Sequence, residues 1–210
     1  MATAAEFAHA PVEVGTRPQV PLLELCATAE SPEALHEALK ARWPLTLRQY
    51  LRADLARNRP GSWKRTLAIL AFRLKWYPAH YTNSRVLTGL GKLFSRIMTY
   101  VLIQEIPVAG GFVGPGLCLT HAWSNTLFHN RAILGENVTL FQDVMIGESK
   151  GPPTFGDLVL GDGVVCLRGV GIFGECRIGD GAIIGAHALI VNQDVEEGAV
   201  MAAPRPVRIR

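Results

Sequence analysis

Two hydrophobic periods divide this chain. As far as about residue 103 the apolar residues recur at the 3.6-residue spacing of amphipathic helices. Ser31-Pro32-Glu33 supplies an N-cap, a first-turn proline and an acidic residue at the positive end of the helix dipole. The spacing predicts a helix from there to about Trp43, stopped by Pro44. A second is expected from about Leu45 to Asn58. A third starts near Ser62, with Leu67, Leu70, Ala71 and Leu74 on one face. A fourth covers about Ser84 to Ile103, with Leu87, Leu90, Phe94, Ile97, Met98, Val101 and Leu102 at helical spacing. Beyond Pro107 the period becomes six. Leu134, Leu140 and Ile146 form one run, and Leu160, Cys166, Ile172, Ile178, Ile184 and Ile190 a second. Two residues before each comes a small or apolar partner, from Ala132, Val138 and Val144 to Leu158, Val164, Val170, Cys176, Ala182 and Ala188. Glycine often follows, as at Gly135, Gly147, Gly161, Gly179 and Gly185.

A period of six fits neither a helix nor a hairpin of alternating strands. It fits short strands stacked coil upon coil, each rung burying the apolar surface of the next. The predicted fold is therefore mainly β, a parallel β-helix preceded by an α-helical region. Three segments are expected: a loose N-terminal arm at 1–30, helices over 31–104, and the β-helix over 105–210. The ladder breaks once, between Ile146 and Leu160, so residues 148–157 are expected to protrude as a loop.

Composition narrows the functional classes. The 210 residues are 49% hydrophobic and 19% charged, enough apolar material for a core. Of the 21 glycines, 17 lie at or after Gly110, which restates the change of architecture. A net charge of +3 without a long basic block argues against a nucleic-acid groove. The four cysteines (Cys26, Cys118, Cys166 and Cys176) lack C-x-x-C spacing, so no zinc or redox dithiol is expected and the thiols should be buried and reduced. Neither a secretory leader nor a membrane span is expected, and the reading is a cytoplasmic protein. Gly169-Val170-Gly171-Ile172-Phe173-Gly174 matches a dinucleotide fingerprint literally. It lies inside the six-residue ladder without a following helix, so the match is a coincidence.

The ladder resembles the hexapeptide-repeat acyltransferases. The helical half, Gln104-Glu105-Ile106, and Val113 through Leu117-Cys118-Leu119-Thr120-His121 resemble the serine acetyltransferase branch. Within that branch the look is nearest to the relatives that acetylate exopolysaccharides such as colanic acid. Leu51-Arg52-Ala53-Asp54-Leu55 and Leu70-Ala71-Phe72-Arg73 resemble the start of the helical region in those relatives. The resemblance implies a left-handed β-helix, direct acetyl transfer from acetyl-CoA as co-substrate with no permanently bound cofactor or metal, and a homotrimer or dimer of trimers. Peripheral membrane association through the fourth helix is a lesser expectation. Serine acetyltransferases carry Asp before the catalytic His and an Asp-Arg-His-Pro element in the loop. Here Thr120 precedes His121, and the loop reads Lys150-Gly151-Pro152-Pro153-Thr154-Phe155. An amino-acid acceptor needs a cation for its carboxylate and an anion for its ammonium. Their loss leads to the expectation of a sugar hydroxyl as acceptor in exopolysaccharide or glycoconjugate assembly. Serine O-acetylation is the alternative, and a non-catalytic β-helix scaffold the reading of another class.

Acetyl transfer needs a base, an oxyanion donor and a cleft for the acyl-CoA arm. His121 is the candidate base, since an imidazole with a pKa near 6.5 accepts protons at neutral pH. Glu105 is the candidate carboxylate beside it. Asp54, Thr120, Trp123 and Asn125 are candidate acceptor-binding residues. Gly174, Gly185 and Ala186 would allow close approach of pantetheine, and Lys150, Arg205 and Arg208 are candidates for its phosphates. His129 and His187 read as corner residues, and Cys118 as a packed thiol.

Overall fold

A computed structural model describes residues 11–13, 20–58, 63–102, 111–120, 125–149 and 154–204. The helices form where their caps predict. Helix α1 is Leu22–Thr28, α2 Pro32–Arg42, α3 Leu47–Arg57, α4 Trp63–Tyr77 and α5 Arg85–Leu102, with a π-helical turn at Pro78–Thr82 between the last two. The Ser31 hydroxyl accepts from the amide of Ala34, and Thr46 with Gln49 forms a reciprocal capping box at the start of α3. Helix α1 lies within the stretch expected to be a loose arm. The difference has a packing cause: Leu22 and Cys26 are buried against the body of the protein. Upstream, the backbone of Val12 exchanges two hydrogen bonds with the side-chain amide of Asn137.

From Phe112 onward the chain is a left-handed parallel β-helix of three sheets. In spatial order they contain β1 (Phe112–Val113), β4 (Ile133–Leu134), β7 (Leu158–Leu160) and β10 (Cys176–Ile178); then β2 (Cys118–Leu119), β5 (Thr139–Leu140), β8 (Val165–Cys166), β11 (Ile183–Ile184) and β13 (Val200–Met201); then β3 (Leu127–Phe128), β6 (Met145–Gly147), β9 (Gly171–Phe173) and β12 (Leu189–Val191). Register follows the six-residue columns. Leu134 pairs with Leu160 and Leu160 with Ile178; Leu140 with Cys166 and Cys166 with Ile184; Ile146 with Ile172 and Ile172 with Ile190. All of these side chains are buried, as is the second column from Ala132 to Ala188. The corners turn through left-handed residues in vertical register, as in the column Asn125, Asp143, Gly169 and His187. Gly169 has two reasons to be glycine there: a φ of +69° and a neighbouring coil so close that a Cβ would sit 2.5 Å from the His187 ring.

A solenoid's first coil exposes unpaired backbone groups that a cap must satisfy. Here the helices do so. Arg73 donates to the carbonyls of Val113 (2.9 Å) and Gly114 (2.6 Å), and Trp76 Nε1 to Gly111 (3.1 Å). Asp54 accepts from the amides of Gly116 and Leu117, Arg57 donates to the Gly116 carbonyl, and Asn58 bonds the Leu117 carbonyl and the Leu119 amide as a strand would. This shifts the buried face of α4 away from the expected one. Ile69, Phe72, Arg73 and Trp76 are buried along with Ala71 and Leu74, whereas Leu67 and Leu70 are only half-buried. The guanidinium of Arg73 lies over the rings of Tyr50 and Trp76, each 4.6 Å away. Helix α5 crosses α4 closely at Gly91, where a Cβ would lie 2.6 Å from the Lys75 backbone nitrogen. Its outer side leaves Val86, Leu90, Leu93 and Tyr100 exposed, although Leu90 belonged to the expected apolar face.

Helix α2 meets the first coil through His36, whose Nε2 lies 2.9 Å from Nδ1 of His80 and whose ring stands edge-on to Phe112 and Phe155. Burial pulls the His36 pKa below its ordinary value, Lys40 adds to this, and Glu37 opposes it. The unfolded chain then binds more protons than the folded one once the pH falls below about 6.5, so stability rises with pH across that window and drops on acidification. The thermal midpoint is expected to be lower at pH 5.5 than at pH 7.5, and His36→Gln to shrink the difference. An unchanged difference in the variant would assign the dependence to other groups.

Candidate active site

The candidate site centres on the corner that follows β2. Seven residues, 120–126, separate β2 from β3, whereas four (141–144, 167–170 and 185–188) separate the equivalent strands below. The chain is thus longer by three residues at the corner that carries His121. His121, Trp123, Glu105, Lys150, Arg205 and Arg208 lie outside the described residues. The segment leading to His121 is held on its free edge by α3: Asp54, Arg57 and Asn58 together bond the backbone from Gly116 to Leu119. On its inner edge the Thr120 amide bonds the Leu140 carbonyl at 3.2 Å. Both edges of the strand are therefore pinned immediately before the candidate base.

Asp54 is not in a position to touch an acceptor. It is 1% exposed, and its carboxylate accepts from Arg73 Nε (2.7 Å) and Nη2 (3.2 Å) as well as from the Gly116 and Leu117 amides. Burial pushes its pKa up, and Arg73 with the two amides pulls it back. Its place is the junction between cap and solenoid, so the expectation of an acceptor-binding role gives way to a structural one. Thr120 is also buried, with its hydroxyl 3.5 Å from the Leu140 carbonyl. Asn125 occupies the left-handed corner position and donates to Asp143 at 3.2 Å; Arg168 in turn approaches Asp143 at 3.3 Å, continuing the ladder down that edge.

The two groups of glycine candidates lie on different edges of the prism. Gly185 and Ala186 lie at the corner after β11, on the same edge as the corner after β2 and three coils along, or ~14 Å at ~4.8 Å per coil. Gly174 lies at the corner beneath the 148–157 loop. There a Cβ would lie 2.0 Å from Asn192 Oδ1 and 2.9 Å from the Ser149 Cβ, so packing within the chain already accounts for its lack of a side chain. That corner borders a polar cleft of about 560 Å³ lined by Asp157, Glu175, Arg177, Asn192 and Asp194, whose three carboxylates disfavour a phosphate. His129 Nε2 lies 2.8 Å from Glu148 and its Nδ1 accepts from the Arg131 amide, while His187 sits at a left-handed corner, in keeping with corner roles. All four cysteines are buried and unpaired. Burial raises the thiol pKa of Cys26 and Cys166 to about 12 and that of Cys118 to about 11, so Cys118 is no thiolate nucleophile at neutral pH. Among the described residues no three His, Cys, Asp or Glu side chains group to hold a metal ion, and no helix is long and apolar enough to cross a membrane.

Sequence reasoning missed Arg57, Asn58 and Arg65. The first two had a signal: Asp54, Arg57 and Asn58 stand at i, i+3 and i+4, one face of α3. Arg65, in the first turns of α4, donates from Nη2 to the Thr120 carbonyl, and nothing local in the sequence announces that contact.

No family model matches the chain. A serine acetyltransferase of Mycobacterium tuberculosis is 29% identical over 130 residues, 60% of this chain and 52% of that protein, so the match spans about half of the relative's length. Among solved structures, the serine acetyltransferase of Neisseria gonorrhoeae in complex with serine superposes with a TM-score of 0.57 at 24% identity, covering 85% of this chain and 78% of that one. The Brucella abortus enzyme in complex with coenzyme A gives 0.56 at 17% identity, covering 88% and 78%. At these identities the structural likeness establishes the fold. In sequence the chain is similar to serine acetyltransferases, and the exopolysaccharide branch is not supported. The expectation of a sugar acceptor is thereby overturned: it rested on charged groups missing at two positions, whereas the relatives found act on serine by name, and one structure holds it.

Proposed function

We propose that this chain is a serine O-acetyltransferase, transferring the acetyl group of acetyl-CoA directly to the hydroxyl of L-serine. The observation that carries the reading is a corner longer by three residues after β2 on a left-handed β-helix, in a chain 29% identical to a serine acetyltransferase over 130 residues. In the mechanism His121 removes the hydroxyl proton as oxygen attacks the thioester carbonyl, Glu105 orients the imidazole, and the proton leaves with the CoA thiol. No enzyme thiol is required, consistent with the protonated state of Cys118. Acetyl-CoA lies along the edge shared by His121, Gly185 and Ala186, with Arg205 and Arg208 toward its phosphates. At Gly185, as at Gly174, packing within the chain accounts for the lack of a side chain, since a Cβ would lie 2.7 Å from the Met201 carbonyl.

The protein is read as a homotrimer or a dimer of trimers. An outward apolar column on the third sheet (Leu127, Met145 and Leu189, in register through Gly171) is exposed and supports burial against a second copy. Light scattering is expected to give a mass at least three times that of the chain, and Met145→Glu to lower it; a native monomer would reject this assembly.

Release of CoA thiol from acetyl-CoA, with L-serine beside a panel of sugars and nucleotide sugars, tests the activity. Serine-dependent release is expected. Its absence, with acetyl-CoA nonetheless binding, would reject the acceptor; absence of both would favour a non-catalytic scaffold.

A further inference from the structure

An acceptor with a carboxylate requires a cation near the base, and the usual loop position offers neither Arg nor His in this chain. Among the described residues, three guanidinium groups reach the backbone between Val113 and Thr120. Arg73 is fully buried and engaged with Asp54, Val113 and Gly114. Arg57 is buried and engaged with Gly116, Val138 and Thr139. Arg65 differs. It is half-buried, and it donates to the carbonyl of Thr120, the residue immediately before His121. That carbonyl takes one of the five N–H donors a guanidinium carries in a planar fork. A cation anchored on the Thr120 carbonyl is thus held one residue along the chain from the candidate base, with consecutive Cα atoms ~3.8 Å apart. Arg168, the cation on the same edge, is two coils away and approaches Asp143.

We infer that Arg65 binds the carboxylate of the acceptor, supplying from the first turns of α4 the guanidinium that the 148–157 loop lacks. This rests on the serine reading and deepens it. The serine hydroxyl is three bonds from its carboxyl carbon, so a carboxylate gripped by Arg65 places the hydroxyl toward residue 121. The same contact holds Thr120 in place, tying acceptor recognition to the strand that presents the base. The lack of Arg and His in the loop then marks a relocated subsite and no longer argues against an amino acid.

The test compares L-serine with L-serinamide, in which a neutral amide replaces the carboxylate, on the native protein, Arg65→Gln, Arg65→Lys and Lys150→Gln. Loss of a charge-assisted hydrogen bond is expected to raise the KM for L-serine roughly 10- to 150-fold in Arg65→Gln. The rise in KM should exceed any fall in kcat, the preference for serine over serinamide should collapse, and Arg65→Lys should recover part of the KM. Thermal midpoints would confirm that the variants fold. Three results would overturn the inference: an unchanged KM for serine in Arg65→Gln, a preference that stays at the native value because both acceptors suffer alike, or the KM effect appearing in Lys150→Gln instead. If the native protein shows no serine-dependent CoA release, the serine reading itself fails, and the Arg65 assignment falls with it.

Discussion

Replacing Asp54 by alanine is expected to destabilise the folded protein by about 3–5 kcal/mol, the usual cost of leaving one partner of a buried ion pair alone. The reason is geometric. The carboxylate is the shared acceptor for Arg73 and for the Gly116 and Leu117 amides, all buried, so its loss strands a guanidinium and two N–H groups without water. The residue links α3, α4 and the first coil, so the damage should reach activity, because the same strand leads to His121. Urea unfolding of Asp54→Ala and Arg73→Met, and of the double variant, provides the check. The double variant is expected to be less destabilised than the sum of the singles, since the two side chains form one network. Additive losses would show that Asp54 acts on the strand without its partner.

His121→Ala is expected to lower kcat for acetyl transfer to L-serine by about 10²- to 10⁴-fold, the range over which a positioned general base contributes, with little change in stability. The base must be neutral to accept the hydroxyl proton, so the native kcat/KM should fall on acidification. The residual rate of the variant should lose that limb. A variant within a few-fold of native would remove His121 from the proton path. The four thiols, held protonated by burial, are no substitute.

These two variants probe features that differ in how far the sequence announced them. The β-helix was legible because its stabilising interaction repeats. Each inward residue at Leu134, Leu140 and onward must be apolar for the same reason, and short strands at a six-residue period have one packing solution. The helix starts at Ser31 and the interruption after Ile146 were legible for a local reason: caps and register breaks involve neighbours in sequence. The eight residues by which that interruption lengthens its coil appear as partner spacings of 26 rather than 18, Leu140 to Cys166 against Cys166 to Ile184.

The acceptor was misread from the same sequence because specificity is set by where charges converge. The loop showed neither Arg nor His; it could not show that Arg65 of α4 lies against the Thr120 carbonyl. The motif at Thr120 and His121 and the chemistry it suggests could be read from the linear order of residues. The edge cap of Asp54, Arg57, Asn58 and Arg73, and the placement of Arg65 on the Thr120 carbonyl, join residues about 40 to 60 positions apart. No local propensity encodes such contacts. They arise when the helices close the open end of the solenoid, where unpaired backbone groups in a water-poor interface demand polar partners. The sequence by itself thus determined the repeating scaffold and suggested the candidate base, while only the tertiary structure decided which charges hold the strand that ends at Thr120.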